Sequence, residues 1–255
     1  MNKKVTLLHS CIHPTSYLNS VELICDWASN SKSRCVYCAN VHMVMEAYDS
    51  AEFREVVKSA DIVTPDGMPL VWLMRMRGYK NQERVYGPAL MLRILEPAEE
   101  KGISVGFLGG SNETLNLLVQ KMVSRFPGLK IAYQYSPPYR ALSDEEDRLI
   151  TDAIRNSGAK ILFVGLGCPK QEKWIHAHKK RIPAVMVGVG AAFDFHAGVK
   201  KQAPGWMQRA GLEWLFRMLT EPGRLWKRYF IHNPRFVILS LFEQIHYWTY
   251  PKEKR

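Results

Sequence analysis

Asp66 is the residue best placed by its neighbours to do chemistry. It follows a short apolar run that stops at Thr64-Pro65, and it precedes Gly67 and a second apolar run that begins at Pro69. That order reads as strand, tight turn and helix, with the carboxylate at the strand's carboxyl end, where open α/β sheets bind ligands. Two roles fit the isolated stretch: a cap for the helix through Met68 and Pro69, or a general base. Three other strand ends carry glycine: Gly106-Phe107-Leu108-Gly109-Gly110, Gly165-Leu166-Gly167-Cys168-Pro169, and Gly188-Val189-Gly190-Ala191-Ala192-Phe193-Asp194. Glycine lets a backbone approach a phosphate closely, and the helix that follows offers N–H donors. Each alone is equally a tight turn; three on one sheet edge favour a nucleotide. None spells GxGxxG or GxxxxGK[ST], which argues against a dinucleotide dehydrogenase or a P-loop protein. D-x-D, HExxH and GxSxG are absent too. If a diphosphate leaves here, Arg, Lys and helix termini must take up its charge. Asp144-Glu145-Glu146-Asp147 follows Ser143 as a capping box, a solvated helix start. His176 and His178, two residues apart, do not share a helix face.

These residues need a frame, and the hydrophobic pattern supplies it. Strands are expected at 5–8, 34–38, 60–64, 103–108, 130–135, 160–164 and 184–187. Helices are expected over 17–27, 43–58, 68–76, 89–101, 112–126, 145–156 and 170–180. Strands without polar alternation, each followed by a helix, mean a parallel sheet covered on both faces. The fold class is therefore α/β, a Rossmann-like doubly wound parallel sheet, assigned to residues 1–205. From residue 206 the character changes. Trp206, Trp214, Phe216, Trp226 and Tyr229 alternate with basic residues, Glu221-Pro222-Gly223 breaks the run, and a final amphipathic helix is expected over 236–250. Residues 206–255 read as a basic, aromatic, helical appendage.

The 255 residues carry 35 Lys and Arg against 24 Asp and Glu, a net charge of +11. Eight basic side chains but only Glu213 and Glu221 fall between 200 and 235, so most of the excess is local and calls for an anionic partner. That segment could meet a membrane surface, a nucleic acid or a second copy of the chain. Its bulky apolar content favours an anionic membrane surface over the polar groove a nucleic acid needs. Five cysteines, an odd number in a chain this long, point to a reducing compartment. Cys35 and Cys38 lie three apart in a strand, which aims the thiols at opposite faces and disfavours a zinc site with His9 and His13. No metal or cofactor is expected. The Met1-Asn2-Lys3-Lys4 start resembles a signal sequence, but the apolar stretch after it is interrupted at His9 and His13 and lacks a small-residue cleavage site. No segment reaches the roughly 20 apolar residues of a transmembrane helix. A cytoplasmic protein, peripheral on the inner membrane face, is the expectation.

Seven motifs in register resemble the WecG/TagA/CpsF family of bacterial glycosyltransferases, the match covering roughly residues 17 to 235. They are Cys38-Ala39-Asn40, Thr64-Pro65-Asp66-Gly67, Arg84-Val85-Tyr86-Gly87, Gly109-Gly110, Gly165-x-Gly167-x-Pro169-x-Gln171-Glu172, Gly188-Val189-Gly190-Ala191-x-Phe193-Asp194, and Arg217 to Tyr229. The resemblance implies an inverting, metal-independent enzyme that moves N-acetylmannosamine, its uronic acid or glucose from a UDP-sugar to a polyprenyl-diphosphate-linked saccharide. It places Asp66 as the general base, Arg84 and Gln171 in donor or transition-state contacts, and Cys38 and Asn40 in the same pocket. The glycine edges, with Gly109, Gly110, Gly165, Gly167, Gly190, Phe193 and Asp194, would bind substrate. The appendage would offer Arg217, Arg224 and Lys227 or Arg228 to the diphosphate. Cys38 stands where the family commonly has a hydroxyl, and Lys227 where arginine is expected, losing the bidentate fork. A protein of another class, binding a nucleotide-sugar or anionic polymer without turnover, would show binding but no release of UDP.

Overall fold

The computed structural model describes residues 4–249; Met1, Asn2 and Lys3 of the signal-like start, and Tyr250 and the residues after it, lie outside the described residues. The chain opens on an antiparallel hairpin, β1 (Val5–Leu7) and β2 (Ser10–Ile12). A strand does form within 5–8, but Leu8 and His9, at φ 45° and 66°, turn it back on itself before it can join the main sheet.

Six parallel strands make that sheet: β3 (Arg34–Ala39), β4 (Ile62–Pro65), β5 (Val105–Gly109), β6 (Ile131–Tyr135), β7 (Ile161–Gly165) and β8 (Val185–Gly188). Their order is β4-β3-β8-β7-β5-β6. Because every pairing is parallel, all the strands end on one edge. The helices are α1 (Tyr17–Ser29), α2 (Val41–Asp49), α3 (Ala51–Lys58), α4 (Met68–Met76), α5 (Gly87–Glu100) and α6 (Asn112–Arg125), then α7 (Asp144–Ser157), α8 (Lys170–His178) and α9 (Ala192–Ala197). The last three are α10 (Gly205–Arg209), α11 (Glu213–Thr220) and α12 (Pro222–Thr249). One hydrophobic core joins α2, α3, α4, α7 and α8 to the sheet, and a second joins α1, α5, α6 and α9. The result is the Rossmann-like doubly wound arrangement expected. β3 shows the pleat at work: Cys35 and Tyr37 enter the first core, Val36 and Cys38 the second. The cysteine pair therefore cannot share a zinc ion. His13 accepts a hydrogen bond from Val63 N at 2.9 Å, and His9 stacks on Tyr48.

Local chemistry sets several boundaries. The capping box before α7 is complete, with Ser143 Oγ accepting from Glu146 N at 3.2 Å and Glu146 Oε2 accepting from Ser143 N at 2.9 Å. The single helix expected over 43–58 is two, because Ser50 adopts an extended backbone and caps α3 through Phe53 N at 3.2 Å. The break expected at Glu221-Pro222-Gly223 separates α11 from α12, but the final helix, expected to start at 236, starts at Pro222. Pro222 occupies the first turn of α12, where its missing N–H costs nothing, and the helix then runs 28 residues through Pro234.

α12 is well anchored. Phe236 is 3% exposed and belongs to the first core, so residues beyond 205 share that core with the sheet. Arg77 donates to Glu243 at 2.6 Å and to Gln244 at 3.1 Å, and Arg235 holds Asp49 through two bonds of 2.7 and 2.8 Å. Truncating Phe236→Ala should cost about 3–5 kcal/mol, read from urea unfolding at an unchanged m-value. A loss below about 1 kcal/mol would show α12 to be peripheral to the core.

Candidate active site

Asp66 leaves β4 into a turn closed by its own N–H, which donates to Ala39 O at 2.8 Å. The carboxylate does not cap α4: Gly67 is the N-cap and accepts no side-chain bond there. Instead Asp66 Oδ2 accepts from Gly87 N at 2.9 Å, and Oδ1 accepts from Arg84 Nη2 at 3.3 Å. Arg84 Nε also donates to the Asp66 carbonyl, and the guanidinium lies 4.1 Å over the Tyr86 ring. Burial raises the Asp66 carboxyl to about 6; Arg84 pulls it down and Glu213 pushes it up. An oxygen base that titrates there is ionised near neutrality and still basic enough to take a proton.

Glu213 comes from α11. Its Oε2 accepts from Arg84 Nη2 at 2.6 Å, closer than Asp66, and its Oε1 accepts from Tyr86 O–H at 3.2 Å. Burial opposes the Arg84 charge, but the two carboxylates outweigh it and hold its pKa above the ordinary value. In the sequence Glu213 is merely one of two acids in a basic stretch, and no local spacing ties it to Asp66. Cys38 lies on the neighbouring strand, and a β-carbon at Gly87 would meet both its sulfur, at 3.4 Å, and Asp66 Oδ2, at 3.3 Å. Burial, then Asp66, pushes the Cys38 thiol well above its usual range, so it stays protonated. Asn40 is spent on the N-cap of α2, its side chain accepting from Met43 N at 3.2 Å. It borders the same turn, since a β-carbon on Gly67 would lie 3.2 Å from Asn40 Cα.

The glycine edges lie beside one another, as parallel strands require. Gly109, at φ 123°, comes so close to β7 that a β-carbon would sit 2.7 Å from the Gly165 backbone. Gly165 in turn leaves room for the Phe193 ring, which a β-carbon would meet at 2.7 Å. Phe193 is 1% exposed and packs edge-on against Phe107, so it is a core side chain rather than a wall of the site. Gln171 is also turned inward. Its Oε1 accepts from Gly167 N at 3.2 Å and Gly190 N at 3.1 Å, and its Nε2 donates to Glu172 at 2.7 Å. It braces two glycine turns, at φ 80° and 55°, through its amide oxygen and spends one of its two amide N–H groups on Glu172. Gly110 continues the first turn at φ 73°. Asp194 is paired with Lys200 at 2.6 Å.

The appendage brings its cations up unevenly. Arg217 and Arg228 have buried Nε atoms with no partner. Burial drives the Arg228 pKa down, and the Arg217 and Arg224 charges add to that effect. Arg224 is turned to Glu221, at 2.6 Å, and Lys227 is exposed over the Trp226 ring. Between Lys227 and Arg228, it is Arg228 that faces inward. Guanidiniums with a buried N–H short of an acceptor favour an anion, because only an anion satisfies both the charge and that N–H.

Fold and site together define a class, a Rossmann-like protein whose edge carboxylate and guanidiniums suit group transfer at an anionic substrate. Residues 5–249 match the model of the Glycosyl transferase WecG/TagA/CpsF family, and the chain belongs to that family. It is 33% identical over 228 residues to the N-acetylglucosaminyldiphosphoundecaprenol N-acetyl-beta-D-mannosaminyltransferase of Bacillus spizizenii, covering 89% of this chain and 85% of that protein. The protein of the same name from Bacillus subtilis is 32% identical over 219 residues, covering 85% and 82%. That of Staphylococcus aureus is 28% identical over 228 residues, covering 88% and 86%.

Substituting Glu213→Gln removes a carboxylate that raises the Asp66 pKa and leaves Arg84 to Asp66 alone. The Asp66 midpoint, followed by carboxyl-carbon NMR, should fall below that of the parent; an unchanged or higher midpoint would show that the two acids are not coupled.

Proposed function

We propose that this chain transfers a sugar from a UDP-sugar to a polyprenyl-diphosphate-linked saccharide, with inversion and without a metal. Of the three sugars the family resemblance implies, the names of the relatives favour N-acetylmannosamine as the group moved and diphosphate-linked N-acetylglucosamine as the acceptor. The observation that carries this reading is Asp66: a carboxylate with its pKa raised to about 6, at the sheet edge, next to Arg84. A single displacement needs one base and no covalent partner. Asp66 takes the proton of the acceptor hydroxyl, the freed oxygen attacks the anomeric carbon, and the bond from that carbon to UDP breaks. UDP leaves with the electron pair. Arg217 and Arg228, short of acceptors, are suited to take up diphosphate charge, and Arg84 exchanges Glu213 for it as substrate enters.

The outer side of α12 fits the membrane half of this reading. Phe230, Val237, Ile238, Leu241, Phe242 and Ile245 are all more than half exposed and recur at helical spacing. No helix among the described residues is long and apolar enough to cross a membrane. An exposed apolar face next to a basic segment suits a helix lying in the lipid interface, here the inner face of the cytoplasmic membrane.

UDP release from UDP-N-acetylmannosamine, with a polyprenyl-diphosphate N-acetylglucosamine acceptor, tests the transfer directly. Release from none of the three UDP-sugars would overturn it. Asp66→Asn should lower turnover by about 10²–10⁴-fold, and equal turnover would remove Asp66 as base. In the parent, kcat/KM should climb with pH and level off above about 6, because the base works only when ionised. Deleting the appendage is a poor membrane test, since it would strip Phe236 from the core. Replacing Leu241 and Phe242 by serine should instead abolish sedimentation with anionic vesicles while leaving the circular dichroism spectrum unchanged. Retained sedimentation would exclude this face as the anchor.

A further inference from the structure

α12 meets the sheet domain at a cluster that the transfer chemistry leaves unused. His42 and Glu46 stand one turn apart on α2, and His232 reaches them from α12. Glu46 Oε1 lies 3.7 Å from His42 Nδ1 and 3.8 Å from His232 Nε2, and the three atoms all lie within 4.8 Å of one another. These gaps are too long for hydrogen bonds. They approach the edge of a ligand tetrahedron, roughly 3.3 Å for ligands 2.0–2.1 Å from a zinc ion, so a contraction of about half an ångström on the two short edges would close them.

The surroundings prepare His42 for that role. Its Nδ1 is buried without a partner and faces the Glu46 carboxylate. Among the described residues this is the one group of three ligating side chains so gathered.

We propose that His42, Glu46 and His232 form a site for a divalent transition cation, with Zn²⁺ as the probe, that braces α12 against α2. Two imidazoles and one carboxylate suit Zn²⁺ better than Mg²⁺ or Ca²⁺, which call for oxygen ligands. A fourth position is left to water. The opposing charges are Arg228 and Arg235, on the same helix as His232, and they keep the affinity below that of a four-ligand structural site. The ion would act one turn from the Arg235–Asp49 pair and join the same two helices. It would be a fastener rather than the clamp on a leaving diphosphate.

The test uses the full chain, stripped with a chelator and titrated with Zn²⁺ by calorimetry, beside His232→Asn and Glu46→Gln. Five free cysteines could take Zn²⁺ elsewhere, so the comparison with the variants is what isolates the site. One equivalent is expected for the parent, with affinity lowered by more than about 100-fold in each folded variant, beyond what loss of an outer-shell partner costs. Zn²⁺ should also raise the Tm of the parent and not that of the variants. If a variant fails to fold, the Co²⁺ form of the parent decides. Ligand-field bands without thiolate charge transfer support the site, and a thiolate band overturns it. No binding by the parent, or equal affinity in the folded variants, also overturns it.

Discussion

One guanidinium, Arg84, is held between two carboxylates that reach it from opposite ends of the fold. Asp66 comes from the end of β4 and Glu213 from α11, and all three side chains are at most 15% exposed. Two negative charges share one positive charge in a poorly solvated space, so one acid must be disfavoured as an anion. The geometry selects Asp66, because Glu213 has the shorter bond and the Tyr86 hydroxyl as well. Deleting Arg84 would leave two buried carboxylates unanswered, a loss of about 3–5 kcal/mol in comparable groups. Closing α11 over the sheet edge thus covers the carboxylate and tunes its basicity in a single contact.

Behind that contact the edge is held by side chains that never face solvent. The β5 and β7 turns approach closely enough that Gly109 and Gly165 admit no β-carbon, and Phe193 fills the space beneath them. Gln171 ties the turns after β7 and β8 together through one amide oxygen. What resembles a set of ligand contacts at these positions is largely the scaffold that fixes where the turns stand. Glycine spacing alone does not distinguish the two, because a close backbone approach to phosphate and to a neighbouring strand both exclude the same β-carbon.

Much of the frame was legible in the residues. Apolar runs without alternation announced a parallel sheet, Ser143 with Glu146 announced α7, and Thr64-Pro65-Asp66-Gly67 placed an acid at the edge. The failures share a cause. Val5 to Leu8 has the composition of a sheet strand, and only its positive-φ turn diverts it into a hairpin. The break read at Glu221-Pro222-Gly223 does separate α11 from α12, but α12 starts well before the expected residue 236 and carries Pro234 within it, where packing of Phe236 and the Arg235 pair outweighs the lost hydrogen bond. Glu213 with Arg84, and His42 with His232, are separated by more than a hundred residues, and nothing local marks either pair.

The unbroken run of α12 sets a distance. Arg228, turned inward, and Phe242, turned outward, are fourteen residues apart on one helix, roughly 21 Å at 1.5 Å per residue. A helix works here as a ruler. Along whatever surface receives the outer stripe, the separation between Arg228 and Phe242 is fixed by residue count rather than by a flexible tether. Pro234 sits between the two ends and cannot donate to the Phe230 carbonyl, so the ruler has one joint. The spacing between the inward guanidinium and the outward ring is thus built into the chain itself.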